Sequence, residues 1–150
     1  MSELLSLSIG IGLVVSMIFS EVFGIAAGGM VVPGYIALSL DRPVDVALTI
    51  ATGLATFAVV RGLSTVMIIF GRRRTVLMIL VGYLMGTVMR STSWGAMETG
   101  ESYSVIGFII PGLIAIWLDR QGIVETISTL ITASVVVRLV LILIVGTDLL

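Results

Sequence analysis

The sequence PGYIALSLDR, at residues 33–42, returns almost unchanged as PGLIAIWLDR at residues 111–120. Seven of the ten positions are identical, at an offset of 78 residues, and both copies follow two β-branched residues. Apolar composition alone would match scattered Leu and Ile residues, but it would not match the Pro-Gly and Asp-Arg pairs together. The sequence therefore predicts two internal repeats in a single membrane domain, the first over about residues 1–70 and the second over about residues 75–150.

The composition indicates a membrane protein. Of 150 residues, 58% are hydrophobic and 11% are charged, with a mean hydropathy of +1.24, whereas a soluble domain carries roughly a quarter charged residues. That balance excludes most soluble enzymes and nucleic-acid binders that work through a basic face. In each apolar run both the odd and the even positions are apolar, whereas barrel strands alternate polar and apolar positions. We therefore predict an all-α, multi-pass integral protein of the cell (cytoplasmic) membrane, with no nucleic-acid partner.

Three residue types that commonly carry chemistry are absent from the sequence. There is no Cys, no His and no Lys, and all eight positive charges are Arg. A Ser-His-Asp triad, a thiolate metal site and a phosphate-binding GxxxxGK[ST] loop are therefore excluded. We expect no catalytic residue, metal or cofactor in this chain. If the chain takes part in an enzyme, another subunit supplies the catalytic groups.

Each repeat contains an apolar segment that is broken by a Pro-Gly pair, at Pro33-Gly34 and at Pro111-Gly112. Proline lacks an N–H and blocks the preceding turn, so the freed carbonyls must face protein, water or ligand rather than lipid. We predict a helical bundle of two pseudo-repeats. Each contains a broken segment, either re-entrant or a half-helix, and a long helix.

Two topologies are open at this point. If the broken segments span the membrane, each repeat crosses three times, the repeats are inverted, and the two Asp-Arg pairs lie on opposite sides. If they are re-entrant, each repeat crosses twice, the repeats are parallel, and both pairs face outside with Glu21, Glu98 and Glu101. The second apolar segment, residues 105–118, is short for a crossing of roughly 30 Å, which slightly favours re-entry.

Arginines within and beside the apolar runs are the candidate binding residues. Arg61 and Arg138 lie inside long apolar runs, where an arginine costs about 2.5–3.5 kcal/mol to insert and usually marks a path or a partner. The candidate set for substrate or polymer binding is Arg42, Arg61, Arg120 and Arg138. The alternative role is structural pairing with an acid, for which the candidates are Glu21, Asp41, Asp119 and Glu125.

The strongest charge cluster in the sequence is formed by Arg72, Arg73 and Arg74. Because positively charged loops favour the cytoplasmic side, this cluster predicts the orientation of the chain and contact with anionic headgroups. Docking of a cytoplasmic partner protein is the alternative interpretation.

The order of the motifs along the chain is also informative. An N-terminal helix leads to Glu21 and then to GIAAGGMVVPGY at residues 24–35, and a later long helix ends in FGRRR at residues 70–74. IGFIIPGLIA follows at residues 106–115, with Gln121-Gly122 after it. This order and the total length resemble the PgsC/CapC family, the small membrane subunit of poly-γ-glutamate synthesis and capsule complexes. The resemblance covers essentially the whole chain, and VVPGY and IIPGLIA are its most specific parts.

That resemblance implies a set of partners. A ligase subunit similar to the Mur ligases would bind ATP and a divalent metal, and would activate the terminal γ-carboxyl of the growing chain as an acyl phosphate. The amine of the next glutamate would then attack it, and further membrane subunits would help to export the polymer. The resemblance implies that this chain is needed for synthesis, but it carries over no catalytic motif.

The buried arginines suit such a role. Poly-γ-glutamate carries one carboxylate per residue, and the guanidinium groups of Arg61 and Arg138 are permanently charged and match carboxylate geometry. We therefore expect the two repeats to hold or conduct the polyanionic chain near the ligase. Two alternatives stay open: a stand-alone secondary transporter or channel for a small anion, with Glu21 or Glu125 in ion coupling, and an assembly anchor without polymer contact. A homo-oligomer is compatible with each.

Overall fold

Helix is the regular secondary structure in the part of the chain that a computed structural model describes, which is residues 2–91, 106, 107 and 109–146. Within those residues there are six helices and no strand: α1 (Ser2–Phe23), α2 (Val32–Leu38), α3 (Pro43–Val66), α4 (Arg72–Ser91), α5 (Ile110–Gln121) and α6 (Ile123–Val145). The all-helical prediction is confirmed there. The polar stretch at residues 92–105, which holds Glu98 and Glu101, lies outside the described residues.

Three helices are long and apolar enough to cross a membrane, namely Glu3–Phe23 within α1, Pro43–Val66 and Ile123–Val145. Helix α4 has 20 residues, but it carries three arginines in its first turn and Arg90 in its last. The other two helices are short, with 7 residues in α2 and 12 in α5. At 1.5 Å per residue they measure about 10 and 18 Å, so neither one alone crosses roughly 30 Å of hydrocarbon.

Prolines and glycines mark the helix boundaries. Pro33 and Pro43 stand in the first turns of α2 and α3, where a missing N–H removes no helical hydrogen bond. Pro111 is likewise the second residue of α5. Each Pro-Gly pair therefore begins a half-helix rather than kinking a continuous one. Gly122 separates α5 from α6 with a φ of +100°, a conformation that glycine adopts without the steric cost other residues meet.

The helices form two compact units. The first unit contains α1, α2 and α6, and the second contains α3, α4 and α5. This division differs from the boundary between the sequence repeats, because α3 follows the first PGxIA copy along the chain but belongs to the unit of the second copy. Helix α6, at the end of the second repeat, packs against α1 and α2. Each half-helix is thus accompanied by the helix that precedes it and by the last helix of the other sequence repeat.

Each unit has its own buried apolar cluster. In the first unit the cluster consists of Val15, Ala27, Ala37, Ala133, Val137 and Leu141. In the second unit it consists of Val60, Met78, Ala115 and Ile116. Small residues predominate in the first cluster, which allows its half-helix and extended stretch to lie close to both long helices.

Glycine pairs let each half-helix lie directly on the helix before it. A Cβ added at Gly12 of α1 would stand 2.9 Å from the Cα of Gly34, and one added at Gly82 of α4 would stand 2.6 Å from the Cα of Gly112. Carbon atoms that are not bonded to each other do not approach this closely in a well-packed interior. The two backbones therefore touch at a Gly–Gly contact in each unit.

Candidate functional site

The broken segment of the first unit runs antiparallel to α1. Ser16 Oγ lies 3.4 Å from the carbonyl oxygens of both Gly29 and Met30. Ser8 Oγ donates a hydrogen bond of 2.7 Å to the carbonyl of Gly34. As the segment advances from residue 29 to residue 34, its neighbours on α1 therefore recede from residue 16 to residue 8.

The same segment runs parallel to α6. Just before α6, the Gln121 amide binds Ala26 twice: Ala26 N–H donates to Oε1 at 2.6 Å, and Nε2 donates to the Ala26 carbonyl at 2.7 Å. Farther along, Arg138 donates to the Ala37 carbonyl at 3.0 Å and pairs with Asp41 at 2.5 Å. From its first residue to Arg138, α6 rises about 22 Å. The segment therefore follows most of the length of α6.

The broken segment of the second unit runs antiparallel to α4. Near the end of α4, Arg90 Nη2 donates to the Gly107 carbonyl at 2.8 Å. In the first turn of α4, Arg74 forms an ion pair with Asp119. Between these two arginines α4 rises about 24 Å, so this segment also extends along most of its neighbour.

Helix α3 runs parallel to the second broken segment. Thr49 Oγ1, near the start of α3, accepts a hydrogen bond of 2.9 Å from Ile106 N–H. One turn later, a Cβ added at Gly53 would stand 2.9 Å from Cγ2 of Ile114. The two units thus share one internal order, in which the preceding helix is antiparallel to the broken segment and the other long helix is parallel to it.

Arg138 is held by the end of the first half-helix. Its side chain is 17% exposed, and it binds both the Ala37 carbonyl and the Asp41 carboxylate, which is 57% exposed. The carbonyl belongs to the last turn of α2 and has no further helical donor. Among the four acids predicted as ion-pair partners, the structure places Asp41 beside Arg138; Glu21 and Glu125 are exposed on α1 and α6.

Asp119 ends the second half-helix in the same LDR motif, and its partner is Arg74. The side chains are 22% and 26% exposed, and the Nε of Arg74 is buried without a hydrogen-bond partner in the described part of the chain. Arg74 was predicted from sequence as part of an orientation or docking cluster. The structure also gives it a role in joining α4 to α5.

Arg61 has a different environment from Arg138. It is exposed on α3, its guanidinium carbon lies 5.7 Å from the centre of the Phe57 ring, and no carboxylate lies within ion-pair distance among the residues described. It lies five residues before the end of α3, about 8 Å along the helix axis. Arg61 therefore offers a charged group that no acid in the described part of the chain neutralises.

Five arginines gather at one end of the second unit, where α3 ends, α4 begins and α5 ends. We call this the basic end, and it consists of Arg61, Arg72, Arg73, Arg74 and Arg120. Arg120 is exposed and lies 5.7 Å from the ring of Trp117. Of these five, Arg74 is the one whose ion pair with a carboxylate is described. The remaining candidate, Arg42, lies at the opposite end of α3, with its side chain 73% exposed and 4.0 Å from Asp45.

Comparison with known proteins identifies the family. Residues 11–127 match the family described as Capsule biosynthesis CapC. The chain belongs to the CapC family. It is 34% identical to the PGA biosynthesis protein CapC of Bacillus subtilis strain 168, over 83% of this chain and 84% of the relative. It is 35% identical to the capsule biosynthesis protein CapC of Bacillus anthracis, over 87% of this chain and 88% of the relative. No solved structure matches it significantly.

These matches confirm the family resemblance and the assignment to capsule or PGA biosynthesis. Sequence reasoning did not assign the polar side chains that hold the broken segments in this CapC-family chain, which are Ser8, Ser16, Thr49 and Gln121. A signal was present, because Ser8 and Ser16 are eight residues apart on one face of an apolar helix. In the described residues no group of acidic side chains is arranged to hold a metal ion.

Proposed function

We propose that this CapC-family chain is the membrane subunit of a complex that makes and exports poly-γ-glutamate. A partner ligase similar to the Mur ligases carries ATP and a divalent metal and forms the amide bonds, and other membrane subunits assist export. The observation that supports a biosynthetic role most directly is the family match over residues 11–127. The three membrane-length helices support placement in the cell membrane.

The chain is built, in this proposal, from two inverted pseudo-repeats whose broken segments cross the membrane. The two Gly–Gly contacts support it, because their surroundings correspond: a Cβ at Gly34 would meet Ser8 O and Ile9 Cα, and one at Gly112 would meet Met78 O and Ile79 Cα. Each broken segment follows its long neighbours over about 22–24 Å. An extended stretch joined to a half-helix therefore covers the distance that neither short helix covers alone.

Single-cysteine labelling tests this topology. Because the sequence contains no Cys, an introduced cysteine is the single thiol that can react. Arg42→Cys and Arg120→Cys place one thiol at the equivalent position of each LDR motif. If the arginine cluster is cytoplasmic, we expect a membrane-impermeant maleimide to label position 42 in intact cells and position 120 only after permeabilisation. Labelling of both positions from the same side would contradict spanning segments and support re-entry.

The basic end receives the polyanion in this proposal. It brings five permanently charged guanidinium groups to the side of the membrane that the positive-inside rule predicts to be cytoplasmic, where an ATP-dependent ligase would work. Arg61 is the proposed contact within a membrane-length helix, and no acid in the described residues neutralises it. Arg120 lies at the same end, and Arg42 lies at the other end of α3. Arg138 contacts the polymer only if a polymer carboxylate replaces the exposed carboxylate of Asp41.

Arg61→Gln tests polymer contact. Loss of one hydrogen bond to a charged group costs about 1.5–3 kcal/mol, so we expect polymer yield or chain length to fall about tenfold or more. Arg61→Lys keeps the charge and should retain part of the yield, and Glu21→Gln controls for changing an exposed charge in a membrane-length helix. Undiminished yield in Arg61→Gln, with normal membrane insertion, would favour an assembly anchor without polymer contact.

Purification of the tagged chain from polymer-producing cells in mild detergent tests the complex itself. We expect an ATP-dependent ligase to co-purify and to be identified by mass spectrometry. Reconstitution with that ligase should then give ATP-dependent glutamate polymerisation. Recovery of the chain without any ligase, from cells that are making polymer, would contradict the proposal.

A further inference from the structure

A pocket of about 200 Å³ opens at the basic end of the second unit. Its polar lining comes from Arg74 and Thr75 on α4 and from Asp119 and Arg120 on α5. Its apolar lining comes from Met78 and Ile116, which belong to the buried cluster of the unit. The pocket is therefore amphipathic, with charged groups from two helices around an apolar wall.

The hydrogen-bonding state of Arg74 is incomplete. One of its guanidinium nitrogens, Nη2, is used by Asp119, but the buried Nε has no partner in the described part of the chain. A buried donor without an acceptor carries a desolvation cost. An anionic oxygen that enters beside Asp119 would satisfy it. The exposed guanidinium of Arg120 and the hydroxyl of Thr75 line the same pocket and supply further donors.

The charge balance favours an anion. Arg74 and Arg120 outnumber Asp119 in the lining, and Arg72 and Arg73 stand exposed in the adjoining turn of α4. A phosphate group matches the planar fork of arginine. Two apolar residues just before α4 are exposed, Ile68 by 85% and Phe70 by 78%. Exposed apolar residues next to a basic cluster and an interfacial Trp117 are typical of the headgroup level of a membrane.

We propose that this pocket binds the phosphate of an anionic phospholipid, with Arg74, Thr75 and Arg120 around the headgroup and Met78 and Ile116 against its glycerol. The bound lipid offsets the charge at Arg74 and Arg120, leaves Arg61, Arg72 and Arg73 available, and fixes the ends of α4 and α5 at the membrane surface. This site is separate from polymer contact at Arg61. The proposal of a lipid site does not depend on whether the chain carries poly-γ-glutamate.

Quenching of Trp117 fluorescence tests the pocket in the full-length chain reconstituted into vesicles. Trp94→Phe leaves Trp117 as the single tryptophan. We compare quenching by brominated phosphatidylglycerol with quenching by brominated phosphatidylcholine, normalised within each variant to unbrominated vesicles of the same headgroup. We expect phosphatidylglycerol to be preferred several-fold, because one arginine near the surface contributes about a fivefold preference for anionic lipid.

Matched variants separate a built site from general surface charge. Arg120→Gln and Thr75→Val leave the Arg74–Asp119 ion pair intact, so they keep the contact between α4 and α5, and each should reduce the preference; we expect about fivefold for Arg120→Gln. Arg73→Gln removes an equal charge outside the pocket and should reduce the preference less than Arg120→Gln does, because only long-range attraction is lost; at 0.5 M salt this screened effect should disappear, whereas the effect of Arg120→Gln should persist. Equal losses in Arg73→Gln and Arg120→Gln would overturn the proposal.

Competition identifies the source of the anion. Inorganic phosphate at 20-fold excess over the lipid should leave the preference unchanged, because it lacks the glycerol that contacts Met78 and Ile116. Displacement of the lipid by free phosphate, or by soluble poly-γ-glutamate, would overturn a phospholipid site. The second result would instead assign the pocket to the polymer.

Discussion

The two units hold the same LDR motif in different ways. In the first unit, Asp41 is paired with Arg138 from α6, the long helix parallel to the broken segment. In the second unit, Asp119 is paired with Arg74 from α4, the antiparallel helix. Arg61 of α3 follows Arg42 by 19 residues and Arg138 follows Arg120 by 18, so the two arginines hold nearly equivalent positions after the LDR motifs. Arg61 remains exposed without a carboxylate partner in the residues described.

This difference indicates that the α3 arginine of the second unit, Arg61, takes no part in the ion pair that holds the LDR motif. In the first unit, Arg138 pairs with the Asp41 carboxylate and donates a hydrogen bond to the Ala37 carbonyl. In the second unit, Arg74 pairs with Asp119, and Arg61 has no acid in the described residues to neutralise it. An arginine in a membrane-length helix usually marks a path or a partner, so we expect Arg61 to be kept for a ligand. We therefore expect Arg138 to contribute to stability and Arg61 to be available for binding.

The largest expected effect is at the Gly–Gly contacts that both units share. Gly82→Ala would bring a Cβ to 2.5 Å from the backbone nitrogen of Gly112, and Gly12→Ala would bring one to 2.9 Å from that of Gly34. Because the obstructing atoms are backbone, the helices must separate. We expect each change to lower the free energy of unfolding by about 3 kcal/mol, measured by titration with denaturing detergent in mixed micelles.

Each glycine change has a control in its own helix. Gly86 in α4 and Gly10 in α1 have nothing within 4 Å of an added Cβ. Gly86→Ala and Gly10→Ala should therefore leave the free energy of unfolding unchanged or raise it by about 0.5–1 kcal/mol, the helix propensity difference between the residues. Equal losses at the contact and control positions would contradict close packing of half-helices on the long helices.

The next effect separates Arg138 from Arg61. Arg138→Gln should lower the free energy of unfolding by about 2 kcal/mol, less than the 3–5 kcal/mol of a fully buried pair because Asp41 is 57% exposed. Arg61→Gln, at an exposed position, should change it by less than about 0.5 kcal/mol. The same detergent titration measures both.

Reversal of the pair sharpens this result. Combining Arg138→Asp with Asp41→Arg restores opposite charges but not the hydrogen bond to the Ala37 carbonyl. We expect the double variant to recover about half of the stability that the single variant Arg138→Asp loses. A double variant no more stable than Arg138→Asp alone would show that the ion pair contributes little and that Arg138 has another role.

The pattern of residues predicted the helical class, helices long and apolar enough to cross a membrane, and the family, because long apolar runs and VVPGY-type motifs are local signals. It also predicted that Pro33 and Pro111 interrupt the apolar segments, and the structure shows each of them in the first turn of a half-helix. The four acids predicted as ion-pair partners include Asp41 and Asp119, two of the three that pair with arginines in the described residues, but not Asp45, which lies 4.0 Å from Arg42.

The pairing of partners could not be predicted, because it depends on which helices pack together. Sequence repeats suggest that the two LDR motifs are equivalent, yet the partner of Asp119 comes from the arginine cluster that precedes it by 45 residues. The grouping of α6 with α1 and α2 is equally non-local, since it joins the two ends of the chain. Helical periodicity specifies which face of a helix is apolar, but it does not specify the neighbour.

The smallest expected effect concerns how each half-helix is anchored at its glycine. Ser8 and Met78 occupy the same place in the two units, beside Gly34 and Gly112, and both are fully buried. The Ser8 hydroxyl donates a hydrogen bond of 2.7 Å to the Gly34 carbonyl, whereas the Met78 side chain fills the corresponding space with apolar atoms. Ser8→Ala should therefore lower the free energy of unfolding by about 1 kcal/mol. Ser6→Ala, at an exposed hydroxyl of the same helix, should change it by less than about 0.3 kcal/mol. Equal effects would mean that the first unit, like the second, is held at this contact by packing alone.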